Sequence, residues 1–162
     1  MNRTLRLLVG WVLCLTIMKP FLTAEVSYAE IELRRQIAGG REFGTSGRYE
    51  ELKGKIHFVI DPRNPRNQII TDLDLAPLNR NGMVEMSADL SILAPIERER
   101  GNGIVLVEVA NRGRKGLMRF NLAESENPYG DGFLMNRGYT IVWVGWEFDV
   151  TPSPTAIRID VP

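Results

Sequence analysis

Two short apolar runs constrain the fold more than any other feature of the sequence. Ile104 to Val109 (IVLVEV) and Ile141 to Trp146 (IVWVGW) are almost free of polar residues and rich in β-branched and aromatic side chains. Such runs predict strands that are covered on both faces, as in a parallel sheet. About 30 residues separate them, which is enough for a helical crossover. Asp131 is placed to cap a short helix that Gly138 would end. We therefore predict a β-α-β unit over 103–146.

The residues before this unit predict a more β-rich region. Residues 30–54 are polar and punctuated by glycine, which indicates an arm and a loop. Strands are predicted over 55–61 and 68–75, and Asn81-Gly82 is a strong turn signal. Apolar and polar residues then alternate from Val84 to Ile92, which favours a strand with one buried face and one solvated face. A last strand is predicted over 156–161.

The first residues are typical of a secretory signal peptide. Arg3 and Arg6 precede an apolar stretch from Leu7 to Met18, and the small residues Ser27 and Ala29 predict cleavage before Glu30. The apolar stretch is shorter than the roughly 20 residues of a membrane span, so no stable span is expected after cleavage. An uncleaved signal anchor is the alternative. We therefore expect residues 1–29 to direct export to the periplasm or the extracellular space.

Composition excludes several functions. Twenty basic and twenty acidic side chains balance, whereas a nucleic-acid binder is usually clearly basic. Cys14 is the only cysteine and lies in the predicted signal peptide, and His57 is the only histidine. The mature chain therefore has neither a disulfide nor a set of thiolate and imidazole ligands for zinc. We expect no nucleic-acid partner, no metal and no cofactor.

A search for a catalytic nucleophile is negative. A nucleophile elbow requires Gly-x-Ser-x-Gly after a strand. Ser46, in Gly44-Thr45-Ser46-Gly47, comes closest, but its second glycine is misplaced and no apolar strand leads into it. His57 lies within a predicted strand rather than on a loop, as a triad histidine usually does. We therefore assign no catalytic residue.

The loop after the first apolar run is the strongest candidate for a binding site. Asn111-Arg112-Gly113-Arg114-Lys115-Gly116 follows that strand directly. In open α/β sheets ligands bind beyond the carboxyl ends of strands, and glycine lets backbone N–H groups approach a ligand closely. A basic glycine turn without such a role is the alternative. Trp146, at the end of the second run, could line a pocket or simply pack against the sheet.

Three phrases in order resemble a known family. They are DPRNPRNQIITDLDLAPLNRNGMVEMSADLSILAP (61–95), VEVANRG (107–113) and GDGFLMNRGYTIVWVGWEFDV (130–150). Together they are similar to the N-terminal part of exported bacterial proteins described as "alpha/beta hydrolase domain" proteins, and more distantly to cocaine-esterase-like acyl hydrolases. The resemblance covers about residues 45–162.

The resemblance implies an α/β fold in which 55–162 form the front of an α/β-hydrolase-like domain. A β-rich hairpin region would precede the first β-α-β unit of an incomplete sheet. It also implies that Asn111, Arg112, Gly113 and Trp146 belong to an oxyanion hole or pocket wall. The chain would be the front part of a secreted esterase-type serine hydrolase, inactive alone. An ester-type small molecule would be its substrate, and a complementing C-terminal chain its partner. An exported, non-catalytic β-rich binding module is the alternative function.

Overall fold

The computed structural model describes residues 24–162, which form one mixed sheet of six strands. The strand order is β1-β2-β3-β5-β4, and β6 pairs with β3 beside β5. Only β4 and β5 are parallel; every other pair is antiparallel. The strands are β1 (Ala24–Gln36), β2 (Tyr49–Ile60), β3 (Val84–Pro95), β4 (Val105–Val109), β5 (Thr140–Val144) and β6 (Ile159–Asp160), with one α-helix, α1 (Phe133–Asn136).

The predicted α/β class is wrong, because the described chain is mostly antiparallel β-sheet. The crossover between the parallel strands β4 and β5 contains a short 3-10 helix (Gly116–Asn121) and the single turn of α1. Residues 121–132 (NLAESENPYGDG) explain this, because Asn, Ser, Pro and Gly all disfavour a helix interior. Among residues 24–162 no long helix lies on the sheet, so the described fold does not have the layers of an α/β-hydrolase-like domain.

Several local expectations also need correction. Residues 68–75 form turns and a 3-10 helix (Leu73–Leu75) rather than a strand, and Asp72 adopts a left-handed conformation with φ of 58°. Of the last strand predicted over 156–161, only Ile159 and Asp160 form a strand, β6. Conversely, β1 and β2 extend far into the predicted arm and loop, since they pair from Ala24 with Ile60 to Gln36 with Glu50.

The main core lies on one face of the sheet. Tyr49, Trp143, Phe43, Met135 and Ile141 are each at most 1% exposed and belong to one apolar cluster. The opposite face is open along β4 and β5, where alternate residues are exposed or half-buried. The apolar runs are therefore not covered on both faces within residues 24–162, contrary to the prediction from their composition.

The N-terminal expectations fall mostly outside the described residues. The apolar stretch of the predicted signal peptide precedes Ala24, where β1 begins. Cleavage before Glu30 would remove the first six residues of a strand that pairs with β2, from Ala24 to Ala29. Among residues 24–162 there is no helix with the length and apolar character to cross a membrane.

Asp131 and Gly138 flank α1 as the sequence predicts, although Gly132 rather than Asp131 is the N-cap residue. The Asp131 carboxylate accepts a hydrogen bond from the Phe133 N–H at 2.9 Å, which satisfies a free donor at the start of α1. Gly138 follows the helix with φ of 78°, a left-handed conformation that glycine adopts without steric cost. This sharp end directs the chain straight into β5.

Candidate functional site: a cationic cleft at the ends of the parallel strands

A cleft of about 720 Å³ opens between the loop after β4 and the chain after β5. One wall consists of Arg112 to Lys115, and the other is built from residues within 149–156. Because β4 and β5 are parallel, their carboxyl ends meet at the same edge of the sheet and bring these two segments together. Arg112, Arg114 and Lys115 line the cleft together with one carboxylate, Asp149. Within residues 24–162, Arg112 pairs with Asp149 and Lys115 with Glu51, so Arg114 is the basic side chain of the cleft without an acidic partner.

The loop after β4 is a tight two-residue turn. The Arg114 N–H donates to the Asn111 carbonyl at 3.1 Å, and both central residues have positive φ: 51° at Arg112 and 70° at Gly113. This is the pattern of a type I′ turn, in which asparagine or glycine is normally preferred. Arginine at such a position is conformationally strained, and strain of this kind tends to occur at functional sites.

Gly113 is required for a second reason, which is close packing. A Cβ added there would lie 2.9 Å from the Ile157 carbonyl oxygen and 2.9 Å from a Val150 methyl group. The Ile157 N–H also donates to the Gly113 carbonyl at 3.1 Å. The turn is therefore held against the far wall of the cleft by direct backbone contact.

Two carboxylates of the chain accept hydrogen bonds from Arg112, one from its backbone and one from its side chain. The Arg112 peptide N–H donates to Glu147 Oε2 at 2.7 Å, and its Nη1 donates to Asp149 Oδ2 at 2.8 Å. The Arg112 guanidinium holds the pKa of the Asp149 carboxyl below its ordinary value. The backbone amide expected to hold a ligand oxygen thus holds a carboxylate oxygen supplied by the segment after β5.

An ionic cluster around the buried Glu51 carboxylate lies next to the cleft. Lys115 Nζ lies 3.2 Å from Glu51 Oε1 and donates to Ser91 Oγ at 2.6 Å. Arg35 Nη2 lies 2.6 Å from Glu51 Oε2. Burial alone would raise the pKa of Glu51, but Lys115 and Arg35 more than offset it and hold this pKa below its ordinary value. Burial also lowers the pKa of Lys115, against the opposing effect of Glu51.

The Ser91–Lys115 contact has the distance of a nucleophile and its base, but its surroundings favour a structural role. Ser91 is 1% exposed, so a substrate could not reach its hydroxyl. A lysine base must be neutral, whereas the Glu51 carboxylate at 3.2 Å stabilises the ammonium form. The cluster therefore compensates the buried Glu51 charge and positions Lys115 over the Trp143 ring, with Nζ 5.0 Å from the ring centroid.

Glu108 ties the same loop to the core. Its carboxylate accepts from the Trp143 indole N–H at 2.6 Å and from the N–H groups of Gly116 at 3.1 Å and Leu117 at 2.8 Å. The acidic residue inside an apolar run thus serves as an anchor for the chain that leaves the cleft.

The structure brings together three of the four predicted site residues. Asn111, Arg112 and Gly113 form the turn at the cleft, whereas the Trp146 side chain is 66% exposed and does not line it. Their predicted oxyanion-hole role stays a prediction. Sequence reasoning missed Glu51 and Ser91, whose burial depends on strand pairing and which carry no local signal.

The other residues weighed in the sequence lie away from the cleft. Ser46 is 3% exposed and sits in a 3-10 turn (Gly44–Ser46). The His57 ring stacks on Tyr28 with centroids 4.1 Å apart. Within residues 24–162, no group of three or more His, Cys, Asp or Glu side chains could hold a metal ion.

Comparison of the chain with known protein families, with curated proteins and with solved structures finds no match. The family resemblance stated above therefore stays a prediction, and the function has to be argued from the geometry of the cleft.

Proposed function

We propose that this protein is a non-catalytic binding module that takes a small carboxylate-bearing ligand in the cleft beside Arg112 to Lys115. One observation carries the proposal. A single residue, Arg112, holds the Glu147 carboxylate through its peptide N–H and the Asp149 carboxylate through its guanidinium. A loop that binds two carboxylates of its own chain has the donors that a carboxylate ligand needs.

The cleft also contains donors that the chain does not use. Arg114 is exposed, lines the cleft and pairs with no acidic side chain of the described chain. The Gly113 N–H, in the same turn, has no hydrogen-bond acceptor among residues 24–162. A backbone N–H without a protein acceptor is available to donate to a ligand oxygen. Both donors favour an anionic ligand over a neutral one.

Isothermal titration calorimetry with citrate as the probe tests the proposal. We expect saturable binding that weakens as salt is added, because exposed charges are screened. Arg114→Ala should weaken binding about tenfold, the size expected for losing one charged hydrogen bond. Arg66→Ala, which removes an exposed arginine from the 3-10 helix Pro65–Asn67, is the matched control and should change nothing.

A second variant separates a specific site from general attraction to positive charge. Glu147→Ala removes the carboxylate that competes for the Arg112 N–H, so citrate should bind more tightly to this variant. Equal loss of affinity in Arg114→Ala and Arg66→Ala, or no saturable binding at millimolar citrate, would refute the proposal.

A second candidate function is the pocket wall of an ester hydrolase whose nucleophile comes from a complementing chain. The Arg112 N–H favours it, because its 2.7 Å contact to an anionic oxygen has the geometry of an oxyanion-hole donor. The chain alone should then hydrolyse p-nitrophenyl acetate no faster than its Ser46→Ala variant. Turnover that disappears in Ser46→Ala would contradict both candidates, since each assumes that the chain has no nucleophile.

The signal-peptide prediction belongs to the same proposal. It would place the binding module in the periplasm or outside the cell, where a chain without mature cysteines faces no thiol oxidation. N-terminal sequencing of the exported protein tests this directly. A mature protein that starts at Glu30 would support the predicted cleavage, and an intact Met1 would support the signal anchor.

A further inference from the structure

One edge of the sheet is a strand whose outer backbone groups have no partner in the described chain. β4 is the terminal strand, and β5 is its only neighbour among residues 24–162. The Ile104 carbonyl accepts from the Thr140 N–H and the Ala110 N–H donates to the Val144 carbonyl, so the even-numbered residues bond to β5. Along a strand, the backbone N–H and C=O groups of successive residues point alternately to the neighbour on one side and the neighbour on the other. The N–H and C=O groups of Val105, Val107 and Val109 therefore point away from the sheet.

The side chains of the same three residues are exposed and apolar. Val105, Val107 and Val109 are 53%, 63% and 57% exposed. Glu108 is the only charged residue of β4, and its carboxylate is bound on the covered face to Trp143 and to the chain after the loop. The outer edge of β4 thus combines unpaired backbone with uncharged β-branched side chains, which is the combination that promotes strand pairing between chains.

The other edge strand of the sheet is protected against such pairing. β1 carries exposed apolar residues such as Val26 and Tyr28, but its register shifts between these two residues and again between Ile31 and Leu33. Such irregularities prevent a second strand from matching the edge over its length. Charged residues from Glu25 to Arg35 add to this protection. β4 has neither bulge nor outward-facing charge, so it is the edge open to a partner.

We propose that β4 pairs with β4 of a second copy of this chain, antiparallel about a two-fold axis through Val107, to form a continuous sheet. The strand is self-complementary in this register. Val107 faces Val107 of the second copy, Val105 faces Val109, and Leu106 faces Glu108. No two like charges lie opposite each other over the strand, and β-branched residues pair well across strands. Such a two-fold contact is isologous, the commonest symmetry of protein oligomers.

The proposed interface is small and predicts a weak dimer. A five-residue edge contact lies below the roughly 1,200 Å² that stable interfaces bury. We therefore expect the dimer to form reversibly with rising protein concentration, in the micromolar-to-millimolar range, and to be missed at lower concentrations. This pairing is independent of the cleft and does not rest on the proposed ligand.

Cysteine cross-linking tests the register. All variants carry Cys14→Ser, so that each chain has one cysteine. Val107→Cys places the two cysteines directly opposite each other at about 5.5 Å between Cα atoms, within the range of a disulfide. Val105→Cys is the matched control, because its sulfur would be some 13 Å along the strand from its own copy. We expect oxidation to link Val107→Cys at least ten times faster than Val105→Cys.

Sedimentation equilibrium of the full chain tests the dimer itself. Val107→Lys puts like charges opposite each other and should weaken association at least tenfold. Val26→Lys makes the same change on β1 and should leave association unchanged. Circular dichroism of both variants verifies that the fold is kept. A chain that stays monomeric at millimolar concentration would overturn the proposal. So would equal cross-linking at positions 105 and 107, a dimer lost only in Val26→Lys, or a β4 edge that takes a strand from a different protein instead.

Discussion

Replacing Lys115 by methionine tests whether the ionic cluster next to the cleft is structurally important. The lysine ammonium is the buried partner of Glu51, at 3.2 Å, and it also donates to the buried Ser91 hydroxyl. Its side chain is 21% exposed and that of Glu51 only 7%, so solvent screens this pair weakly. Methionine has a similar length and leaves no large cavity, so the substitution removes the charge with little change in packing.

The expected cost follows from what the remaining partners can do. Removing one member of a buried ion pair typically costs about 3–5 kcal/mol. Arg35 still binds the second carboxylate oxygen of Glu51, but its own side chain is 54% exposed, so it compensates only in part. The Ser91 hydroxyl loses its partner, at about 1–3 kcal/mol. These two costs are upper bounds here, because Arg35 stays on Glu51 and Lys115 itself is 21% exposed. We therefore expect Lys115→Met to lower the free energy of unfolding by about 2–4 kcal/mol, a large part of the 5–15 kcal/mol of an ordinary domain.

Urea denaturation monitored by circular dichroism measures this cost. Lys53→Met is the matched control, because Lys53 also faces Glu51 but at 3.8 Å and with a 35% exposed side chain. Its cost should stay within about 1 kcal/mol, as for exposed pairs. In the double variant Glu51→Gln with Lys115→Met, both charges are gone and most of the stability should return. Equal effects of Lys115→Met and Lys53→Met would refute the reasoning.

Three further predictions concern the same core. The pKa of Glu51 is lower in the folded chain than its ordinary value of 4.5. Glu51 therefore stabilises the fold above pH 4.5, and this stability is lost as the pH falls through the folded pKa. In urea titrations at a series of pH values, Glu51→Gln should lose less stability in acid than the native chain. Tyr49→Phe should cost about 1–2 kcal/mol by losing a buried hydroxyl donor. Because burial raises the pKa of Tyr49 to about 12, the native chain should lose stability from pH 10 upward, and the Phe variant should lose less. Gly113→Ala should destabilise more than Gly103→Ala, since both have positive φ but only Gly113 lacks space for a Cβ; equal thermal shifts would contradict this.

Individual strands could be predicted from the sequence where a short residue pattern marks them. The alternation after Asn81-Gly82 marks β3, and the two apolar runs mark β4 and β5, which do pair in parallel. The fold class could not be predicted correctly, because an almost wholly apolar run is typical of a strand that is covered on both faces. An edge strand that is free to pair with another chain can have the same apolar composition, so composition alone does not distinguish the two.

The candidate site likewise has a part that could be predicted from the sequence and a part that could not. The loop from Asn111 to Lys115 could be found from the sequence, because glycine and basic residues directly after a strand are a local pattern. The buried partners of Lys115 could not be found, since Glu51 and Ser91 reach it only through the pairing of β2 with β3. Strand register is a long-range property, and a single glutamate in a polar stretch does not reveal it.

β4 connects the two proposals through the alternation of its side chains. Its odd-numbered valines point to the open side, whereas Glu108 points to the covered face and binds the N–H groups of Gly116 and Leu117 just beyond the cleft loop. A change that displaced β4 would therefore also move the turn that holds Arg112. The substitution Val107→Lys changes only the outward side of the strand, so citrate binding should survive it unchanged. Loss of citrate binding in that variant would mean that the edge and the cleft act as one site rather than two.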